Sequence, residues 1–242
     1  MAELPNKMTL ENSARTYIGN KILQLISRNP VYLKDVSLNP NITWDIVKAN
    51  PDLPWCWCYL SSNPNITWEM VKANPEKAWD WNILSRNPNI TMDIVEANPE
   101  KPWHYGMLSS NPNITWDIVK ANPEQQWDWY LLSSHPNITW EIVKANPEKP
   151  WCWTGLSLNP NITWEIVKAN PEKPWRWTGL SENPNITFYF IQKNIDKINL
   201  MKITRNTFEL EYTTRLEQQK RRYKLIINRK LYRKQMGKRD AQ

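Results

Sequence analysis

Apolar side chains recur along most of this chain at an interval of 24 residues, and the stretch NPNITWDIVKANPEQQWDWYLLSS, residues 111–134, shows the pattern whole. Three aromatic columns run through the repeats. The first is Trp44, Trp68, Met92, Trp116, Trp140, Trp164 and Phe188; the second is Trp55, Trp79, Trp103, Trp127, Trp151 and Trp175; the third is Trp57, Trp81, Tyr105, Trp129, Trp153 and Trp177. A leucine column, Leu60, Leu84, Leu108, Leu132, Leu156 and Leu180, accompanies them. A buried Trp removes about 150–250 Å² from water, so such ladders are sufficient for a core. A strict period marks a repeat architecture, in which each unit buries its apolar face only against its neighbours. The first two columns read as core. The third reads as partly exposed, and an exposed aromatic ridge would be a binding surface, for sugar or nucleobase stacking among other ligands.

Polar residues punctuate the same period. Asn-Pro opens a unit at Asn39, Asn63, Asn87, Asn111, Asn159 and Asn183, and His135-Pro136 occupies the remaining slot, giving six full units and a degraded seventh. Each unit is internally doubled. Its first segment begins at a Thr suited to cap a helix and carries an early acid (Asp45, Glu69, Asp93, Asp117, Glu141, Glu165). It stops at the Asn of Ala-Asn-Pro, because the residue before proline is pushed out of the α region. That spacing predicts a helix of eight or nine residues. The second segment opens with Pro and Glu, often with another Pro (Pro54, Pro102, Pro150, Pro174), which suits a first helical turn. It ends at Leu-Ser, and it is short enough for 3₁₀ as well as α geometry. Helices this short are unstable alone, so the units must stack into an all-α, elongated α-solenoid.

Three regions follow. Residues 1–38 form an N-terminal helical cap, with a helix starting at Asn12-Ser13 and running through Tyr17, Ile18, Ile22, Leu23 and Ile26, its outer side expected to be polar. Ser27-Arg28-Asn29-Pro30 echoes the repeat's ending. Residues 39–194 are the solenoid. From Phe188 the pattern loses its Pro-Trp-x-Trp half, so the stack is expected to end at Asn194; residues 195–242 then form a tail in which Thr207 caps one long helix.

Charge separates the tail from the stack. The net charge is +7, but residues 195–242 hold 14 Lys and Arg against 5 Asp and Glu, which is +9 and leaves −2 elsewhere. The cluster Lys220, Arg221, Arg222, Lys224, Arg229, Lys230, Arg233 and Lys234, interleaved with Tyr223 and Tyr232, suits a nucleic acid or another anionic surface. Three cysteines are too few for a disulfide framework, no apolar run spans a bilayer and no signal-peptide pattern opens the chain. An intracellular, non-secreted protein is expected, and the repeated Asn-Ile-Thr triplets are then helix starts rather than glycan acceptors.

Catalysis lacks its parts. The two histidines, His104 and His135, are substitutions within the repeat, and there is no phosphate-cradling glycine loop or nucleophile elbow. Cys56 and Cys58 fall short of the four ligands of a structural metal site, and Cys152 lies four units away. No enzyme activity, metal or cofactor is expected. The column Lys48, Lys72, Lys120, Lys144, Lys168 follows an acid by three residues on one helix, a local pairing rather than a basic stripe.

Information about partners resides in the columns that vary. Between the paired aromatics stand Cys56, Asp80, His104, Asp128, Cys152 and Arg176; before Asn-Pro stand Ser62, Arg86, Ser110, Ser134, Leu158 and Glu182. Asp80, His104, Asp128, Arg176, Arg86 and Glu182, with Tyr130, are therefore the candidate partner-binding residues, expected to face solvent.

The unit length, the Asn-Pro-Asn-Ile-Thr turn and the Leu-Ser-x-Asn-Pro ending, spanning Asn39 to Ile191, resemble leucine-rich repeat variant proteins. That resemblance implies a right-handed superhelix of alternating α and 3₁₀ helices. The chain departs from the family in using Trp where it uses Leu or Val, and in lacking the N-terminal cysteine cluster by which some members hold an iron–sulfur centre. The string Asn-Pro-Asn-Ile-Thr-Trp-Glu-Ile-Val-Lys-Ala-Asn-Pro-Glu-Lys-Pro-Trp, with the ending Phe190 to Asn194 and a basic tail behind it, is similar to the repeat proteins of giant DNA viruses. That likeness implies a viral, non-enzymatic role. The sequence thus predicts a scaffold for a protein partner, in the virion or the host cell, with nucleic-acid binding through the tail as the alternative.

Overall fold

The computed structural model describes residues 7–26, 33–203, 205–208, 212–222 and 224. All regular structure among them is helical. A helix α1 (Lys7–Ile26) and a short α2 (Leu33–Val36) precede the repeats. The first segments of successive units form α3 (Trp44–Ala49), α5 (Trp68–Ala73), α7 (Met92–Ala97), α9 (Trp116–Ala121), α11 (Trp140–Ala145), α13 (Trp164–Ala169) and α15 (Phe188–Lys193). The second segments form α4 (Trp57–Ser62), α6 (Trp81–Arg86), α8 (Tyr105–Leu108), α10 (Trp129–Ser134), α12 (Trp153–Leu158), α14 (Trp177–Glu182) and α16 (Leu200–Ile203). The chain divides into two compact units, residues 1–132 and 133–242.

The first helices have six residues, not eight or nine. Thr43 to Thr187 do occupy the N-cap position with extended dihedrals, but only Thr115, Thr139 and Thr187 accept a backbone N–H, each at 3.4 Å. At the other end each Asn before Pro leaves the helix as expected, with φ from −125° to −137° and ψ near 58–60°. Its side chain then folds back: Asn74 Nδ2 donates to the Met70 carbonyl at 2.8 Å.

The Pro-Glu-Lys-Pro stretch is not the first turn of the second helix. The Trp55 N–H donates to the Leu53 carbonyl at 2.7 Å, and the Trp103 N–H to the Lys101 carbonyl at 2.8 Å, closing three-residue turns that proline at the centre suits. These turns hold the chain extended until the third aromatic column, where the second helix begins. That helix is α rather than 3₁₀: the Leu60 N–H donates to the Cys56 carbonyl at 2.8 Å, and only its last bond, Asn63 N–H to the Leu60 carbonyl at 2.9 Å, tightens to three residues.

Within each compact unit, successive repeats are joined by side chains that bond to the backbone of a neighbouring repeat, asparagines reaching back and serines reaching forward. In residues 1–132, Asn63, Asn87 and Asn111 form one ladder; Asn111 Nδ2 donates to the carbonyls of Ser85 (2.9 Å), Asn87 (3.0 Å) and Ile90 (3.0 Å). Its Oδ1 accepts the Asn113 N–H at 2.9 Å, closing the Asn-Pro-Asn turn. Serines form the second ladder: Ser85 Oγ accepts the His104 N–H at 3.0 Å and donates to the Trp81 carbonyl at 2.8 Å. The same rungs recur in residues 133–242, where Asn159 and Asn183 reach Ser133 and Ser157 at 2.9 and 3.0 Å. His135 fills an Asn slot because Nδ1 accepts the Asn137 N–H at 3.1 Å, the bond an Asn Oδ1 makes elsewhere. Among the described residues no buried side-chain nitrogen or oxygen lacks a partner.

Around these ladders lies the apolar core. The isoleucines of Asn-Ile-Thr (Ile42 to Ile186) and the leucine column are at most 2% exposed, and the valines from Val47 to Val167 are also buried. Second-column Trp55, Trp79, Trp127 and Trp151 are buried and Trp103 and Trp175 half-buried, and each donates Nε1–H to the Asn carbonyl five residues back, as Trp79 does to Asn74 at 2.9 Å. In residues 1–132, Trp44 lies 6.0 Å from Trp79, and Trp57 meets Trp79 edge-on at 5.0 Å.

Both ends depart from the sequence reading. α1 begins five residues before Asn12 and buries Gly19 and Leu23 rather than Tyr17 and Ile18, which are exposed together with Leu25. Its outer side is therefore partly apolar, not polar. Gly19 faces the first repeat so closely that a Cβ there would overlap the Asn41 carbonyl oxygen and Ile46 Cδ1. Thr16 Oγ1 and Thr43 Oγ1 are hydrogen-bonded at 3.1 Å. The echo at Ser27–Pro30 lies outside the described residues.

At the other end the stacking continues past Asn194. The Asn199 N–H donates to Ser181 Oγ at 3.2 Å, and Asn206 Nδ2 donates to the Ser181 and Asn183 carbonyls at 3.2 and 2.8 Å, so both ladders gain another rung after a one-residue deletion. Asn206 is buried. Phe190 rather than Phe188 enters the core, 4.0 Å from Trp164 and stacked 5.7 Å from Trp177. A first-column ring is buried by the second-column Trp of the following unit, as Trp140 is by Trp175 at 5.7 Å. No such Trp follows Phe188, which is 48% exposed. Residues 212–222 and 224 are helical.

Candidate functional site

The column between the paired aromatics is the N-cap position of the second helices, and this gives three of its members a structural task. Asp80 Oδ1 accepts the Ile83 N–H at 3.1 Å; Asp128 Oδ1 accepts the Tyr130 and Leu131 N–H groups at 2.9 and 3.0 Å. His104 does the same with Nδ1, which accepts the Met107 N–H at 3.1 Å, so a neutral imidazole carries its hydrogen on Nε2. Cys56, Cys152 and Arg176 at this position make no side-chain cap. His104, Asp128 and Arg176 are exposed and Asp80 is half-buried. Their main chains are fixed by the serine ladder, since the Asp80, His104 and Arg176 N–H groups donate to Ser61, Ser85 and Ser157 Oγ at 3.0, 3.0 and 2.9 Å.

The column before Asn-Pro separates into used and unused charges. Glu182 is taken up by the chain itself: Lys202 Nζ lies 2.8 Å and Arg205 Nη1 3.9 Å from its carboxylate, and its side chain is only 19% exposed. That pairing removes Glu182 from the surface expected of it. Arg86 is exposed and has no ion pair among the described residues. It borders a cleft of about 390 Å³ within residues 1–132, walled by Leu38, Tyr59 and Ile83. Tyr130 is 44% exposed on α10.

The third aromatic column is half-buried in every unit. Its rings are not bare: Lys77 Nζ lies 5.5 Å from the Trp57 ring centroid and Lys197 Nζ 5.2 Å from that of Trp177. The lysines of the Pro-Glu-Lys loops also have an acid beside them, with Lys77 and Glu76 at 3.3 Å and Lys101 and Glu100 at 3.3 Å. The backbone N–H of Glu76, and after it Lys77, holds that carboxyl below its usual range; Glu100 is lowered in the same way by its own N–H and Lys101. Burial, reinforced by Glu96 and Glu124, raises the Tyr105 phenol above its ordinary value. An open cleft of about 340 Å³ within residues 133–242, beside Trp140 and Trp153, has Lys144, Lys149 and Lys173 on its rim.

In the lysine column of the first helices, Lys48, Lys72, Lys120 and Lys144 make the local pairs expected of them, and among the described residues Lys168 does not. Lys48 to Asp45, Lys72 to Glu69 and Lys120 to Asp117 are 2.9, 2.9 and 2.8 Å. Exposed pairs of this kind stabilise by about 0.3–0.5 kcal/mol and leave no continuous basic stripe.

On the basic helix, Lys220, Arg221, Arg222 and Lys224 are exposed; Lys220 Nζ sits 2.8 Å from Glu217, whose carboxyl it lowers. Arg229, Lys230, Arg233 and Lys234 lie outside the described residues, as do Tyr223 and Tyr232. Cys56, Cys58 and Cys152 are free thiols, and among the described residues no group of three or more His, Cys, Asp or Glu is placed to hold a metal ion. No described helix is long and apolar enough to cross a membrane.

Sequence reasoning missed the cleft walls Leu38, Tyr59 and Ile83, because an unconstrained column and a groove wall look alike until the helices are packed. Comparison with protein-family models, with curated proteins and with solved structures gives no match.

Proposed function

We propose that this chain is a non-enzymatic repeat scaffold that binds another protein through the variable face of its second helices. One observation carries the reading. The Asn, Ser, Ile, Leu and Trp columns are closed on themselves by hydrogen bonds and burial, whereas the second helices vary outward, from Cys58-Tyr59 to Asn82-Ile83 to Gly106-Met107. A surface held rigidly and varied residue by residue is what recognition of an extended partner requires. In this reading the repeats within each compact unit wind in a right-handed superhelix. The likeness of the repeat to those of giant DNA viruses supports, as part of this proposal, a role in the virion or the infected cell's interior.

The exposed cations of residues 212–224 favour one rival, binding of a nucleic acid or anionic surface through the basic helix. Affinity capture with the full chain, repeated after Lys220, Arg221, Arg222 and Lys224 are changed to Gln, separates the two. The scaffold reading expects a protein partner retained by both forms between about 50 and 200 mM salt. Retention of nucleic acid alone, lost steeply over that range and absent in the Gln form, overturns it.

A further inference from the structure

The second helices do not present the same face throughout the chain. In residues 133–242 the third residue of α12 and of α14 is glycine, and both Gly155 and Gly179 are buried. A Cβ on Gly179 would stand 2.8 Å from Ser157 Cβ and 3.2 Å from the Thr154 carbonyl oxygen, so these helices pack too closely to leave a groove. In residues 1–132 the same position is Tyr59 in α4 and Ile83 in α6, both half-buried, and the helices are held apart over the cleft of about 390 Å³.

The chemistry of that cleft is selective. Leu38, Tyr59 and Ile83 give it apolar walls. Ser62 and Ser110 line it but turn their hydroxyls to their own helices, Ser62 Oγ donating to the Tyr59 carbonyl and Ser110 Oγ to the Met107 carbonyl, each at 2.9 Å. Arg86 is the single charged residue in α4, α6 and α8, and it has no ion pair among the described residues. Its counterpart Glu182 is already neutralised by Lys202.

We propose that this cleft takes a peptide segment of the partner that inserts an aliphatic or aromatic side chain between Tyr59 and Ile83 and sets a carboxylate on Arg86. The inference rests on the scaffold reading and gives its partner a chemical class. A guanidinium binds a carboxylate in a bidentate fork, which fixes register, while the apolar walls supply the burial. The volume lies at the low end of ligand-sized sites, about 300–1,000 Å³, enough for an anchor residue and its neighbour. A phosphate backbone would meet Arg86 but leave the apolar walls unused.

Short random peptides displayed on phage and selected on the full chain test this, with synthetic versions of the enriched peptides titrated by fluorescence anisotropy. Enriched sequences are expected to pair an apolar residue with Asp or Glu. Their affinity should fall at least about tenfold with Arg86→Glu and with Ile83→Arg, and a peptide whose acid is replaced by Lys should bind Arg86→Glu better than the parent. Arg86→Gln, at an exposed position, provides the same readout if Ile83→Arg unfolds. Enriched peptides that bind Arg86→Glu as tightly as the parent overturn the cleft but leave the scaffold reading standing on another surface. A chain that selects no peptide and binds labelled RNA overturns both.

Discussion

Asn111 Nδ2 donates to the carbonyl of Ser85, 26 residues earlier, at 2.9 Å, while Ser85 Oγ holds the N–H of His104 at 3.0 Å. The Asn side chain thereby reaches back to the preceding backbone, while the Ser side chain reaches forward to the following one. Asn111 is fully buried. Asn111→Asp keeps the acceptor for the Asn113 N–H but sets a carboxylate against three carbonyl oxygens. The expected loss is about 2–4 kcal/mol, a drop of roughly 2–4 °C in the unfolding midpoint per kcal/mol for a chain this long. Differential scanning calorimetry measures it, and an unchanged midpoint would show that the asparagine ladder does not join the repeats.

Trp79 combines burial with a single polar bond, Nε1–H to the Asn74 carbonyl. Trp79→Phe keeps an aromatic ring, removes the donor and leaves a gap beside Trp44 and Trp57. A destabilisation of about 2–4 kcal/mol is expected from the orphaned carbonyl and the lost volume. Chemical denaturation with Trp fluorescence reports it, and Trp57→Phe, at a half-buried site, should cost less.

Gly19→Ala sets two effects against each other. Alanine favours an isolated helix by about 1 kcal/mol, whereas here its Cβ would overlap Asn41 and Ile46. The overlap with the Asn41 carbonyl is with backbone and cannot be relieved by a rotamer change, so α1 should separate from the first repeat. Faster amide exchange in residues 11–26 with little change beyond residue 63 is the expected outcome; slower exchange would mean that α1 does not pack there.

Tyr105 provides an alkaline signature. Because burial raises its folded value above the ordinary one, the neutral phenol favours the folded chain. Its contribution is complete below the ordinary tyrosine value, about 10, and is lost as pH rises through the raised one. Unfolding midpoints measured on both sides of that value should fall with pH in the parent and fall less in Tyr105→Phe.

The columns that bury residues were legible in the sequence because burial repeats at a fixed interval. Trp79 and Leu84 could be placed without coordinates. What the interval could not carry was direction along the unit. The turn centred on Pro54 or Pro102 looks the same as a helix start, and only the Trp N–H bonded two residues back distinguishes them. The end of the stack was hidden for another reason. Asn206 holds the ladder through its amide alone, so neither the missing Pro nor the missing Trp prevents the rung, although both erase the pattern by which it would be found. Among the candidate site residues, Asp80, His104 and Asp128 vary because three side chains can supply one cap acceptor, a tolerance that variation alone does not distinguish from partner recognition.

The repeat divides into columns that hold the stack and columns left to the surface, and a side-by-side thermal unfolding of Asn111→Asp and Arg86→Glu tests that division most directly. Arg86→Glu is expected to stay within about 0.5 kcal/mol of the parent, as surface substitutions do, while Asn111→Asp falls by several degrees. Equal losses in both, or a larger loss in Arg86→Glu, would contradict it.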